Sequence, residues 1–284
     1  MRLFLLTALV MAAFAANSLL NRAALAGELI DPLSFALIRV LAGALMLVLL
    51  VREWPRPARA QWGAAAALTL YLVGFSLAYV ALDAGIGALI LFGVVQVTML
   101  SGALVSGERP AARRLAGAAL AMAGLGALLL PGAQAVPAPG AAGLMALAAV
   151  GWGLYSLAGR GAIRPLAVTA TNFALAVPMV AVLALPWLAL TTLTHSGIAL
   201  AVISGAVTSG LGYALWYAVV PTLGAARAAV AQLTVPVIAL AGGVLLLGER
   251  LTMAATAASL VVLAGVALAS LPERNGKATP PPAR

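Results

Sequence analysis

In a chain that is 64% hydrophobic and 8% charged, the residues able to do chemistry are the few polar and aromatic side chains set inside long apolar runs. They fall at helical spacing. Phe14, Asn17 and Ser18 lie at i, i+3 and i+4 and so share a helix face, and Trp152, Tyr155 and Ser156 repeat that pattern. Tyr71, Phe75 and Tyr79 follow one another every fourth residue; so do Ser209, Tyr213 and Tyr217, with Thr208 and Trp216 beside them. Gln96 and Gln232 stand in two further runs, Gln232 just ahead of Pro236. Side chains of these kinds line a chamber for a small molecule, or bond one helix to another. The aromatics also suit packing or interfacial belts, and Tyr79 and Tyr217, near the ends of their runs, fit a belt. No run holds a nucleophile with its base, a carboxylate pair or a metal-ligand cluster, which argues against an enzyme and implies no metal and no cofactor.

Arg39 is the one charge well inside a run, about 10 Å past Pro32 at 1.5 Å per residue. A lone arginine at that depth costs about 2.5–3.5 kcal/mol on insertion scales, so it needs a partner. Asp31 and Glu28 are candidates, as are carbonyl ends of neighbouring helices; the role is either a structural anchor, or gating or capture of a substrate carboxylate. Asp83 has no evident mate and reads as a solvated turn. Glu108 and Glu249 sit in Gly-Glu-Arg turns and read as structural, each favouring the N-terminus of the helix that follows. No acid lies deep in a run, so a dedicated proton relay is hard to draw. Pro236 frees backbone carbonyls near Gln232, making that helix a candidate for local unwinding. His195, in a Thr/Ser stretch without nearby carboxylates, is a poor metal ligand.

These residues have to be positioned by helices in lipid. Mean hydropathy is +1.12, more apolar surface than a soluble domain of 284 residues can hide. The runs lack the alternation of a membrane β-barrel. Ten spans are predicted, at about 3–21, 32–51, 62–82, 85–106, 112–130, 140–159, 165–189, 198–219, 223–247 and 251–271. With these spans thirteen Lys and Arg fall on one side and only Arg22 and Arg250 on the other, which places both termini in the cytoplasm. The net charge of +9 is scattered between spans and points to orientation, with no nucleic-acid partner. There is no cysteine, so no disulfide is needed. The first 26 residues have the outline of a signal peptide, but residues 12–24 pair with 150–162 in mid-chain, which favours a retained span.

That pairing belongs to a duplication. Gly107-Glu108-Arg109 matches Gly248-Glu249-Arg250, Gly124 matches Gly265 and Pro131 matches Pro272. Upstream, with an offset shorter by three, Tyr79 falls on Tyr217, Gly74 on Gly212 and Arg22 on Arg160. An odd number of spans per copy, five, makes the halves inverted repeats, at 3–131 and 140–272, with a disordered tail at 273–284. Transporters built so hold substrate near the midplane and alternate access by rocking; a channel can be built so too.

A span ending in Gly-Glu-Arg before a small-residue-rich final span, duplicated over ten helices, resembles the drug/metabolite transporter superfamily and its EamA-domain exporters. The residues that carry the resemblance are Arg39, Gly107-Glu108-Arg109, Gly248-Glu249-Arg250 and Leu233-Thr234-Val235-Pro236. It implies an all-α inner-membrane protein of ten transmembrane helices that exports small metabolites, with a cavity formed by spans one, three, four, six, eight and nine. Amino-acid exporters of the YddG type are the nearest likeness, since the first copy lacks a proline in its fourth span. The substrate implied is an amino acid, aromatic or of broad range, and the alternatives are drugs or other metabolites. Outside the resemblance, a channel and an intramembrane enzyme are the competing classes. The implied partners are the small-molecule substrate and the lipid bilayer, with no obligate protein partner.

Overall fold

The computed structural model describes residues 1–107, 110–129, 138–186, 192–223, 228 and 231–270. Its elements are helices: α1 (Arg2–Ala26), α2 (Pro32–Val51), α3 (Arg59–Tyr79), α4 (Ala84–Val105), α5 (Ala112–Leu129), α6 (Pro139–Ala158), α7 (Pro165–Ala184), α8 (His195–Leu223), α9 (Thr234–Leu247) and α10 (Met253–Ser270). Seven are long and apolar enough to cross a membrane, and α9 and α10 are shorter apolar helices. Proline opens α2, α6 and α7, where its missing N–H costs nothing. Asp31 caps α2, its Oδ1 accepting from the N–H groups of Leu33 (3.1 Å) and Ser34 (2.9 Å). Thr194 caps α8 through Gly197 in the same way.

Gly107 and Gly248, the glycines of the two Gly-Glu-Arg turns, both take positive φ, +79° and +68°. That left-handed conformation closes a helix C-terminus at little cost only for glycine. The turns at α4 and α9 are therefore the same device twice. Glu108 and Arg109 lie outside the described residues.

Two features differ from the predicted spans. The ninth is broken by a turn at Leu233, between helical Gln232 and the start of α9 at Thr234, so Pro236 sits in the first turn of α9 where its missing N–H costs little. α8 instead carries the irregularity: Ile203–Leu211 is wound as a π-helix inside it. Such winding widens about two turns and re-aims the side chains of Ser204, Thr208 and Ser209.

The helices pack in pairs that map onto themselves when the halves are exchanged. α5 lies on α10, α2 on α7 and α4 on α9; α3 lies on α6 as α1 does on α8, α4 on α6 as α1 on α9, and α2 on α8 as α3 on α7. Small residues allow the close approach, because lipid supplies no hydrophobic drive between helices. A Cβ at Gly124 would strike Val262 and the Ala258 carbonyl, and one at Gly265 would strike Ala121 and the Gly117 carbonyl. Large apolar side chains such as Phe4, Leu49, Leu245 and Leu246 are exposed on the outside, as a bundle solvated by hydrocarbon requires.

Gly265→Leu is expected to force α5 from α10 and lower stability by about 1–3 kcal/mol. Gly126→Leu, whose Cβ meets nothing within 4 Å, is expected to leave it unchanged. Thermal unfolding in detergent distinguishes them; equal melting temperatures would refute the tight α5–α10 seam.

Candidate functional site

At the centre of the bundle Arg39, on α2, is fully buried. Its guanidinium carbon lies 5.3 Å from the centroid of Tyr71 and 5.0 Å from that of Phe75, both on α3. Nη2 donates to the Tyr71 hydroxyl at 3.0 Å. Nε and Nη1 have no hydrogen-bond partner. The carboxylates expected to neutralise it do not: Asp31 is turned into its capping role, and among the described residues no ion pair reaches Arg39. The sequence pattern placed Asp31 and Glu28 too close to the helix start to fold back onto a side chain two turns further along.

A hydrogen-bond net continues from Tyr71. Its oxygen also accepts from Asn17 Nδ2 (3.3 Å), while Asn17 Oδ1 accepts from Ser204 (2.6 Å) and Thr208 (3.2 Å) of the π-helical segment. Asn21, one turn past Asn17, bonds the Asn17 carbonyl (2.8 Å) and Ser204 (3.4 Å), and takes a bond from Ser76 (3.2 Å). Helices α1, α3 and α8 are thus tied around one polar core. Asn21, Ser76 and Ser204 were not singled out from the sequence; Asn21 at i+4 from Asn17 and Ser204 at i−4 from Thr208 were the available signals.

Around this core the predicted aromatics form a continuous set of ring contacts. Tyr79 meets Phe75 (4.7 Å), Phe75 meets Tyr71 (5.2 Å), Tyr71 meets Trp152 (4.9 Å), and Trp152 stacks on Tyr213 (5.6 Å, 17°). Phe14 touches both Tyr213 (5.8 Å) and Trp216 (5.9 Å), and Tyr155 touches Trp152 (5.5 Å). Phe173 of α7, unmarked by the sequence, adds a ring against Tyr213 at 5.9 Å. Tyr155 and Tyr217 converge on Thr169 (3.3 and 3.0 Å), a bond between helices. Ser209 is buried with its hydroxyl unpartnered, and Ser18 is buried beside the Tyr79 hydroxyl. Ser156 bonds back to the Trp152 carbonyl of its own helix. Gln96 on α4 and Gln232 ahead of α9 are half-buried.

A second cluster joins the C-terminal ends of α1 and α3 to the start of α4 and the turn after α9. Arg22 Nη1 donates to the carbonyls of Tyr79 (3.3 Å) and Val80 (3.0 Å), its Nη2 pairs with Asp83 (3.1 Å), and its Nε approaches Glu249 (3.4 Å). Glu249 Oε1 accepts from the Ala84 N–H at 2.8 Å, at the start of α4. Two expectations are corrected: Asp83 is paired, and Glu249 serves the N-terminus of α4 while Thr252 caps α10. Tyr79 is no belt residue, being fully buried with its hydroxyl donating to the Ala84 carbonyl at 3.1 Å. Burial pushes the Glu249 carboxyl above its ordinary value, against the Ala84 N–H and Arg22, which favour the charged form.

Apolar helices with exposed outer faces and a polar, aromatic centre define a multi-pass membrane protein. Residues 140–271 match the EamA-like transporter family. Over 280 residues the chain is 51% identical to Uncharacterized protein PA1977 of Pseudomonas aeruginosa, covering 98% of this chain and 97% of that one. A solved crystal structure of a protein superposes with TM-score 0.65 at 21% identity, over 92% of this chain and 95% of the other, a likeness of fold. Residues 140–271 thus carry an EamA-like transporter domain of the drug/metabolite superfamily, a family of membrane transporters of small molecules.

Glu249→Ala removes the acceptor of the Ala84 N–H and is expected to cost about 1–3 kcal/mol in detergent melts. Glu249→Gln keeps an acceptor but cannot ionise. A carboxyl held above its ordinary value stabilises fully below that value and loses the contribution as pH rises through the raised one. The melting-temperature difference between the native chain and Glu249→Gln should therefore move against the native chain as pH climbs from the ordinary carboxyl range; no drift would refute the burial argument.

Proposed function

We propose that the protein exports small metabolites, amino acids foremost, across the bacterial inner membrane by alternating access between two inverted five-helix repeats, 3–131 and 140–272. The carrying observation is the aromatic and polar centre supplied by α1, α3, α6 and α8 from positions paired by the duplication: Phe14 with Trp152, Asn17 with Tyr155, and Phe75 with Tyr213. The exchange-invariant helix pairing and the two positive-φ turn glycines support the repeat. Five crossings per copy make the copies opposite in direction. Rings of this kind take apolar and aromatic bodies, while the Asn17 and Arg39 region offers polar recognition at one edge.

Labelled L-phenylalanine should cross proteoliposomes containing the protein with saturable kinetics, and Tyr213→Ala and Tyr155→Ala should lower the flux about tenfold or more, the loss of one ring contact plus its buried area. Linear flux would point to a channel, and full activity in both variants would remove the rings from the site.

Topology is tested separately. As the chain has no cysteine, single Ser106→Cys and Arg250→Cys substitutions report sidedness. In intact cells an impermeant maleimide should label position 250 and spare 106. Labelling of both would refute the inversion.

A further inference from the structure

We infer that Arg39 is the recognition site for a carboxylate on the substrate, and that the transporter selects molecules joining a carboxylate to an apolar or aromatic body. The inference rests on the transporter reading above and narrows its substrate class.

The argument is an inventory of donors. Arg39 is fully buried, yet Nε and Nη1 bond to nothing. The Tyr71 oxygen already accepts from Arg39 and from Asn17, so its own O–H remains to donate. The nearest amide acceptor, Asn17 Oδ1, is taken by Ser204 and Thr208. Around the guanidinium the free valences are thus donors, and the charge is uncompensated by any described carboxylate.

A purely structural arginine would be expected to spend its N–H groups on carbonyls, because idle donors on a buried cation are costly. The rings of Tyr71 and Phe75 hold the guanidinium by their faces, which soften the charge but satisfy no N–H. A carboxylate is the complementary group. It accepts only, carries the missing charge, and its planar oxygens match guanidinium geometry.

The neighbours set what the carboxylate must be attached to. Tyr71 contacts Trp152, and Trp152 stacks on Tyr213, with Phe14 beyond. A ligand anchored at Arg39 lies along these rings. Among the described residues the unpartnered buried carboxylate oxygen, Asp31 Oδ2, stands at the start of α2, about 12 Å along that helix from Arg39 at 1.5 Å per residue, so the carboxylate is the group this site is expected to select and an amino group adds less.

The test is competition for labelled L-phenylalanine in proteoliposomes, together with Trp fluorescence titrations of the detergent-solubilised full chain. The probes are 3-phenylpropionate, which has the carboxylate alone, and phenethylamine, which has the ammonium alone. 3-Phenylpropionate should bind and compete within about threefold of phenylalanine, and phenethylamine at least tenfold more weakly. Arg39→Gln should weaken 3-phenylpropionate binding by about 10–100-fold, the range for a charge-assisted hydrogen bond. Tyr71→Phe, which keeps the ring, should weaken it about threefold to tenfold.

Phenethylamine competing as well as 3-phenylpropionate on the native chain would overturn the assignment whether or not the variants fold. Inorganic phosphate binding and competing as well as 3-phenylpropionate would overturn the carboxylate as its object. The two readings fail separately: saturable phenylalanine transport without carboxylate preference leaves the transporter reading intact. Carboxylate binding lost in Arg39→Gln without saturable transport leaves Arg39 as a binding residue and removes the carrier.

Discussion

A cation shut away from both water and lipid headgroups has to be held by whatever the protein places around it. Coulomb energies grow as the effective dielectric falls, so an unmatched charge at the heart of a bundle dominates its surroundings. Arg39 imposes that condition here. Two rings of α3 take its faces, one hydroxyl takes one of its nitrogens, and that hydroxyl passes the demand to Asn17 and onward to Ser204 and Thr208. Helices α1, α2, α3 and α8 are fixed relative to one another by that chain of polar obligations. Shape alone would not do it, since apolar helices in hydrocarbon gain little from meeting.

What brings the helices near enough is the absence of side chains. Gly205 lies against the Arg39 carbonyl, so α2 and α8 touch backbone to backbone beside the charge. Gly74 meets Leu144 and Ala148, and Gly151 meets Ala67 and Tyr71, so α3 and α6 close in the same manner and carry Tyr71 onto Trp152. At the far seam, Gly124 faces Ala258 and Val262 as Gly265 faces Gly117 and Ala121. At that seam each contact is the other with the aligned positions of the two segments exchanged.

Sequence periodicity made the helices and several ring positions legible, because apolar length and i, i+4 spacing are local properties. Tyr71, Phe75, Trp152, Tyr213 and Phe14 do meet one another. Partners contributed by distant segments were not legible. Nothing local tells that Arg22 will reach Asp83 and Glu249, or that Glu249 will bypass α10 for the start of α4. Proline signalled irregularity in the ninth span, where a turn at Leu233 breaks the helix just ahead of Pro236; the second distortion, in α8, carried no proline signal and falls in a Ser/Gly/Thr-rich stretch. Arg39 was visible as an oddity, but its mate was sought among carboxylates and helix-end carbonyls and is a phenol placed by tertiary packing.

The centre and the Arg22 cluster are joined by a single face of α3. Tyr71 and Phe75 hold Arg39; Phe75 touches Tyr79; Tyr79 bonds the Ala84 carbonyl, one peptide from the N–H that Glu249 holds. α1 runs beside it with Asn17 at the centre and Arg22 at the end. On the proposed cycle a ligand that draws Tyr71 or Arg39 out of this arrangement must disturb rings packed at 4.7–5.2 Å, and through them the seat of Tyr79. Packed rings do not yield by fractions; they stay or they move to another discrete arrangement. A molecule filling the free valences of Arg39 would then act on the Arg22 cluster about two helical turns away, roughly 12 Å at 1.5 Å per residue, through contacts already in place.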